Sequence, residues 1–327
     1  MKGRALGATA LLGLLLLAAI LASLALGDSN LRPGEVLQAL AGRGDDLART
    51  VVWDIRLPRT LVGLAVGAGL AASGVAMQAF FRNALASPGL LGVSAGGALG
   101  AVMALALGGA ALNIWIVPGA SIVGAFAATG AVLALARRGA GPEHLLLSGV
   151  ALNAIFGAGT SFLLALSAGQ FQVSGQILFW LMGDIENRTW EHVWIGLPPI
   201  LLGCALMLPL GRPMNLLSLG DTSAQSLGVD VRRLRWQLIG LSTILTALAT
   251  AVGGVVGFVG LLVPHLLRLG FGPDHRRLLP MSMLGGAALV LLCDLPTRFL
   301  PGGLRLGVMT ALLGGPFLLW MLRKHPC

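Results

Sequence analysis

The chain has 327 residues, of which 56% are hydrophobic and only 11% charged, with a mean hydropathy of +0.87. Soluble domains carry about 25% charged residues and cover themselves with polar groups, so a soluble globule, a disordered chain and a coiled coil are excluded. The net charge of +9 would suggest nucleic acid in a soluble chain; here it has to be read against a membrane.

A helix needs roughly 20 apolar residues to cross a bilayer. Charge-free runs accordingly predict an all-α polytopic membrane protein with ten spans, at about 5–27, 59–81, 90–108, 113–136, 144–167, 191–210, 235–254, 257–269, 278–297 and 305–322. The first run is longer than a signal-peptide core. It is read as an uncleaved span, although Ala25-Leu26-Gly27 has a cleavable look. Before the second span stands Arg56-Leu57-Pro58-Arg59, where Pro58 suits a helix start because its missing N–H would be unpaired there. These arginines could anchor to lipid phosphate or meet the acids of an external partner. The third and fourth spans share one long run, broken near Gly108–Asn113. Gly92, Gly96 and Gly100, spaced by four, predict a close-packing ridge, and Gly63 and Gly67 another. A short amphipathic piece at 176–182 follows the fifth span, and Gly253, Gly254 and Gly257 separate the seventh from the eighth.

Orientation follows from the basic residues. With both termini in the cytoplasm, fourteen of the 22 Lys and Arg fall inside, giving a net +10 on that face and −1 on the other. The positive excess is therefore a topology signal, and nucleic acid is not an expected partner. Trp53, Trp115, Trp180, Trp190 and Trp194 fall at outer span ends, with Trp236 and Trp320 at inner ends, as an aromatic belt requires.

Three cysteines make no framework, and no Cys/His cluster has metal-ligand spacing, so neither a metal nor a cofactor is expected. No G-x-x-x-x-G-K-[ST] loop exists, and the only lysines are Lys2 and Lys324, so the chain is not read as an enzyme. Charge is missing from the span centres. Asp294 and Arg298, four apart near an outer end, are read as a local pair. Anything pumped is expected to draw its energy from another chain.

Three further stretches are specific. GVAMQAFFRNALASPGLLG (74–92) joins two spans across a short inner turn, with Asn83 as a candidate C-cap. GRPMNLLSLGDTSAQSLGV (211–229) is an inner loop in which Asp221 or Thr222 can N-cap a short helix stopped by Gly228. Such a helix would dock in a partner's groove or lie on lipid. GFVGLLVPHLLRLGFGPDHRR (257–277) carries His265, read as a structural histidine.

These stretches, in this order, together with Gly307-Val308 leading to Gly314-Gly315-Pro316-Phe317, resemble the FecCD-type permease subunits of ABC importers over nearly the whole chain. Within that family, RPMNLLSLG and LLLSGVALN look most like the permeases of cobalamin importers. Two departures stand out. Asn83-Ala84-Leu85-Ala86 replaces N-P-L-A, and the approach to the last span lacks the usual acid before Gly307.

The resemblance implies a ten-helix subunit of the large (type II) class with inverted pseudo-repeats, spans two to five matching seven to ten. It implies a homodimer in the bacterial inner membrane, with two ABC ATPase subunits below and a periplasmic binding protein above. Cobalamin is the implied cargo, with ferric siderophore or haem as the alternative. An ion-coupled carrier is the rival of a different class. By the same likeness Arg56, Arg59 and Arg298 dock the binding protein from an exposed rim. Within the 211–234 cytoplasmic loop, Leu219, Gly220, Asp221, Ala224, Leu227 and Gly228 couple to the ATPase. Arg138, Gly139, Ala140, Gly141 and Pro142 match an inner gate. Asn153 and Ser161 are expected either to face the path or to hydrogen-bond between helices.

Overall fold

The computed structural model describes residues 2–27, 29, 31–136, 142–299 and 304–324, and among these it contains helices and no strand. The helices are α1 (Lys2–Ala25), α2 (Pro33–Leu40), α3 (Asp46–Thr50), α4 (Leu57–Phe81), α5 (Val93–Ala106), α6 (Gly109–Leu112), α7 (Ile116–Leu135) and α8 (Pro142–Leu166). There follow α9 (Phe171–Leu181), α10 (Trp190–Met207), α11 (Gly211–Leu217), α12 (Asp221–Ser226), α13 (Val231–Gly253), α14 (Val259–Phe271), α15 (His275–Thr297) and α16 (Leu306–Lys324). Among the described residues six helical runs are long and apolar enough to cross a membrane, and four apolar helices are shorter.

Pro58 stands in the first turn of α4, as its missing N–H suits, but the helical rod does not begin there. α3 and α4 form one continuous rod, Asp46–Phe81, joined by a π-turn at Val51–Arg56. In that wide turn the Leu57 N–H reaches back five residues to the Val52 carbonyl. The displaced backbone eases the clash with a carbonyl four residues earlier that proline would make in an α-helix.

α4 is the hub, with nearly every side chain buried. It packs against α13, and takes α14 and α15 on its flanks; α13 in turn packs against α5 and α7. The contacts are backbone-close where glycines meet. A Cβ on Gly67 would lie 2.2 Å from the Gly286 carbonyl, and one on Gly74 would lie 1.8 Å from that of Gly260. The ridge on α5 works in the same way: Gly96 and Gly100 press on Gly124 and Ala120 of α7.

Between α13 and α14 the chain unwinds over five residues. Phe258 adopts a left-handed conformation there, with φ of 65°. Its ring fills the space above Gly314 of α16, where a Cβ would stand 2.2 Å away. That slot holds a backbone geometry costing an L-residue roughly 1–2 kcal/mol.

Candidate functional site

Polar side chains gather at the two ends of the bundle. At one end, the outer one in the orientation read from the basic residues, Asp294 on the last turns of α15 binds two cations. Arg59 of α4 chelates it through Nε (3.1 and 3.0 Å) and Nη2 (2.8 Å). Arg298 donates to Oδ2, which Arg59 Nε also reaches, from Nη2 at 2.7 Å and from Nε at 3.0 Å. Arg59 also donates to the Thr297 hydroxyl. The remaining arginine donors serve the end of α1, whose last carbonyls have no intrahelical partner. Arg298 donates to the Ser23 and Leu26 carbonyls, and Arg56 to those of Leu24, Ala25 and Ser29. Gly27 lies against the Arg56 guanidinium, 3.2 Å from where a Cβ would sit.

This overturns one expectation. Arg56, Arg59 and Arg298 are not an exposed rim: they are 4%, 9% and 8% exposed. The physical reason is that the end of α1 folds over them and supplies acceptors that a single helix reading leaves invisible.

A second outer cluster was not singled out in the sequence. Arg305, just before α16, bonds Asp184 at 3.2 Å and also Glu186, and lies 4.2 Å above the Phe179 ring. Asp184 donates its backbone N–H to the Gly253 carbonyl, and Gly307 donates to that of Gly183, so the ends of α9, α13 and α16 are seamed together. Arg305 thus carries the local charge pairing at the position where the acid before Gly307 is missing. Beside it a cavity of about 470 Å³ is lined by Phe179, Trp180, Asp184, Arg188, His192 and Arg305. Burial pushes the Arg188 guanidinium down, against the opposing pull of Asp184.

At the inner end α11 and α12 form a bent pair, turned by Gly220 at φ of 108°. Asp221 does not cap α12; Gly220 is the cap residue and no side chain bonds there. Two cations hold the Asp221 carboxylate instead. Arg235 of α13 lies 2.9 Å away, and Arg82 at the end of α4 makes the second ion pair. Ala224 is fully buried beneath α12, whereas Leu219 and Leu227 are 63% and 58% exposed. Gly228 closes the element at φ of 85°. Asn83 does not occupy the C-cap of α4 either. Arg82 takes it in the left-handed region, and the Asn83 side chain accepts from the Leu85 N–H.

The expected path residues separate. Asn153 is half-buried and donates to the Gly89 carbonyl at 2.9 Å, tying α8 to the turn before α5. Ser161 is exposed on the same helix. Of the expected gate, Arg138, Gly139, Ala140 and Gly141 lie outside the described residues, and Pro142 opens α8.

An all-helical bundle with this packing has the fold of a large ABC importer permease. A solved metal-chelate type ABC transporter, in an inward-facing conformation, superposes with a TM-score of 0.87 at 34% identity, covering 99% of this chain and 100% of that one. The chain belongs to the FecCD transport family, whose model matches residues 15–324. Among its relatives, the cobalamin import system permease protein of Halobacterium salinarum is 42% identical over 86% of this chain and 75% of that protein. The hemin transport system permease protein of Yersinia pestis is 41% identical over 96% of both chains. The vitamin B12 import system permease protein of Salmonella typhi is 41% identical over 96% of this chain and 94% of that one.

Proposed function

We propose that this chain is the membrane permease subunit of a binding-protein-dependent ABC importer. It moves cobalamin across the bacterial inner membrane, using ATP hydrolysed by partner subunits. The observation that carries the cargo is the likeness to cobalamin permeases at 41–42% identity over most of the chain. Haem is the second reading, favoured by the hemin permease relative. Uptake of labelled cobalamin and of haem, in cells lacking their own permeases, separates the two. Cobalamin accumulation with no haem accumulation is expected, and the reverse would transfer the reading to haem.

Two copies make the working unit. α8 and α16 leave large apolar side chains exposed, among them Leu147, Phe162, Leu312 and Leu319, which a second copy and lipid would cover. Ser161, exposed on α8, faces the path between the copies, Asn153 holds that helix to the turn before α5, and the 138–142 segment gates the inner end of the path. The exchange of partners around α4 and α13 supports inverted repeats, since each first helix packs on the second and third of the other set.

α11 and α12, with Leu219 and Leu227 outermost, seat on the ATPase, and ATP-driven closure there rotates the helices between two states. Gly228 has open space around it but a positive φ, so Gly228→Val strains only the turn. Uptake should be lost while the protein remains inserted; surviving uptake would refute the coupling assignment. Arg56, Arg59 and Arg298 act on the binding protein from beneath the surface, by fixing the end of α1 on which it docks. Arg56→Gln, which removes the charge and most of the bonds to the α1 carbonyls, should weaken docking of the binding protein in permease shown by its melting temperature to be folded, and unchanged affinity at low salt would count against it.

A further inference from the structure

Two motif fragments have no role so far: Asn215 in GRPMN and Asp274-His275 in GPDHRR. They are 59 and 60 residues apart, and the fold joins them. The Asn215 amide donates to Asp274 Oδ1 at 2.6 Å. Its carbonyl oxygen accepts the His275 backbone N–H at 2.8 Å and lies 2.8 Å from His275 Nδ1. Both halves of one side chain are thereby engaged on the first turn of α15. Asp274 is itself the N-cap of that helix, accepting from the Arg276 N–H. Burial would raise the Asp274 carboxyl, but the bonds from Asn215 and Arg276, with the charges of Arg277 and Arg276, hold it below the usual range.

Gly211 lies one helical turn before Asn215 on α11. A Cβ there would stand 3.0 Å from the Arg276 Cα. α11 therefore rides directly on the start of α15, at close backbone contact and through one bidentate side chain. The far end of the same helix carries Asp294, held by Arg59 and Arg298 and through Arg298 to α1. α15 has 23 residues, about 34 Å of rise, and is fastened at both ends.

We propose that Asn215 is the positioning residue through which the α11–α12 element moves α15. α15 then acts as a rod that carries this displacement to the arginine cluster at the outer face. The proposal rests on the reading of α11–α12 as the ATPase-coupling element. Asp221 supplies the other fastening, to α4 and α13, so the element grips the bundle on two sides. Coupling between distant faces needs a rigid connection that both ends bias, and a packed helix bolted at its termini meets that requirement.

The test uses the full permease, reconstituted with its ATPase and binding-protein partners in lipid nanodiscs for hydrolysis and in vesicles for transport. Asn215→Ala should keep the ATPase bound and hydrolysing, while cargo moved per ATP falls about tenfold, inside the range for energetically linked sites. A spin label at Phe299→Cys, in a chain without its native cysteines, reports the outer end of α15. The ATP-dependent shift in label distance between copies should be present with Asn215 and absent with Ala. Asn215→Asp sets a carboxylate against Asp274 and should be as defective. Adding Asp274→Asn restores a donor and an equally good N-cap, and should recover at least half the loss.

Normal transport and a normal label shift in Asn215→Ala would overturn the proposal. So would loss of the ATPase from that variant, which would make Asn215 a docking residue, or a lack of recovery in the double variant. If the unsubstituted chain binds no ATPase, the importer reading itself falls, and that result is visible before any variant is made.

Discussion

Asp294 holds two cations at once, one from its own helix and one from α4, with its side chain 1% exposed. A buried carboxylate of this kind costs more to strand than its pairing contributes, because the desolvation is already spent when a partner is removed. The two sides of the cluster are unequal. Asp294→Ala leaves Arg59 and Arg298 buried without their anion and should destabilise by about 3–5 kcal/mol. Arg59→Ala leaves Asp294 still paired with Arg298 and should cost about 1–3 kcal/mol. Thermal unfolding of the detergent-solubilised protein measures the order, and an Arg59 variant less stable than the Asp294 variant would contradict this account. The Asp294–Arg298 pair was legible in the sequence, since four residues on a helix fix it. Arg59, 235 residues away, was not, and neither were the α1 carbonyls that bury all three arginines. Asp221 failed as an N-cap for a related reason: the ends of α4 and α13 bring it two arginines, and a charged partner outcompetes a local N–H.

At the scale of elements, apolar run length and glycine spacing carried most of the architecture. The break near Gly108–Asn113, the one marked by Gly254 and Gly257, and the close approach of Gly96 and Gly100 on α5 follow from residues whose constraints are local or repeat every four positions; Gly92 makes no such approach and instead precedes α5 in the left-handed region. What was not legible depends on departures from the ordinary helix. The π-turn at Val51–Arg56 let α3 and α4 fuse across Pro58, and no sequence period announces it. α2 and α3 lie in a stretch too short and too charged for a span reading to resolve. The glycine contacts give a graded prediction. Gly74→Ala would force a methyl within 1.8 Å of a backbone oxygen, with no flexible side chain able to yield. α4 and α14 must separate, and a loss of more than about 2 kcal/mol is expected, above the usual range for overpacking at a yielding site. Gly130→Ala, also mid-helix, meets nothing within 4 Å and should stabilise by roughly 0.5–1 kcal/mol through backbone entropy. Melting temperatures of the two variants should move in opposite directions, and a Gly74→Ala protein as stable as the unsubstituted chain would mean that α4 and α14 are not packed as described.

At the scale of the molecule, the two polar ends differ in chemistry. Arg59, Arg298 and Arg305 are turned inward and paired with Asp294, Asp184 and Glu186, whereas Arg232 and Arg233 at the start of α13 are exposed. Exposed basic residues such as Arg232 and Arg233 can meet solvent and lipid headgroups, which is the condition for basic residues to set orientation. That orientation decides which element can meet an ATPase. Two exposed positions test it in a chain whose native cysteines have been replaced. Ser226→Cys lies on α12, and Asp46→Cys lies at the start of α3 with a side chain 98% exposed. A membrane-impermeant maleimide applied to intact spheroplasts should label Asp46→Cys and leave Ser226→Cys unreacted until the membrane is permeabilised. Labelling of Ser226→Cys in sealed cells would put α11 and α12 on the outside. The coupling role, and the inward direction of transport that depends on it, would then both fall.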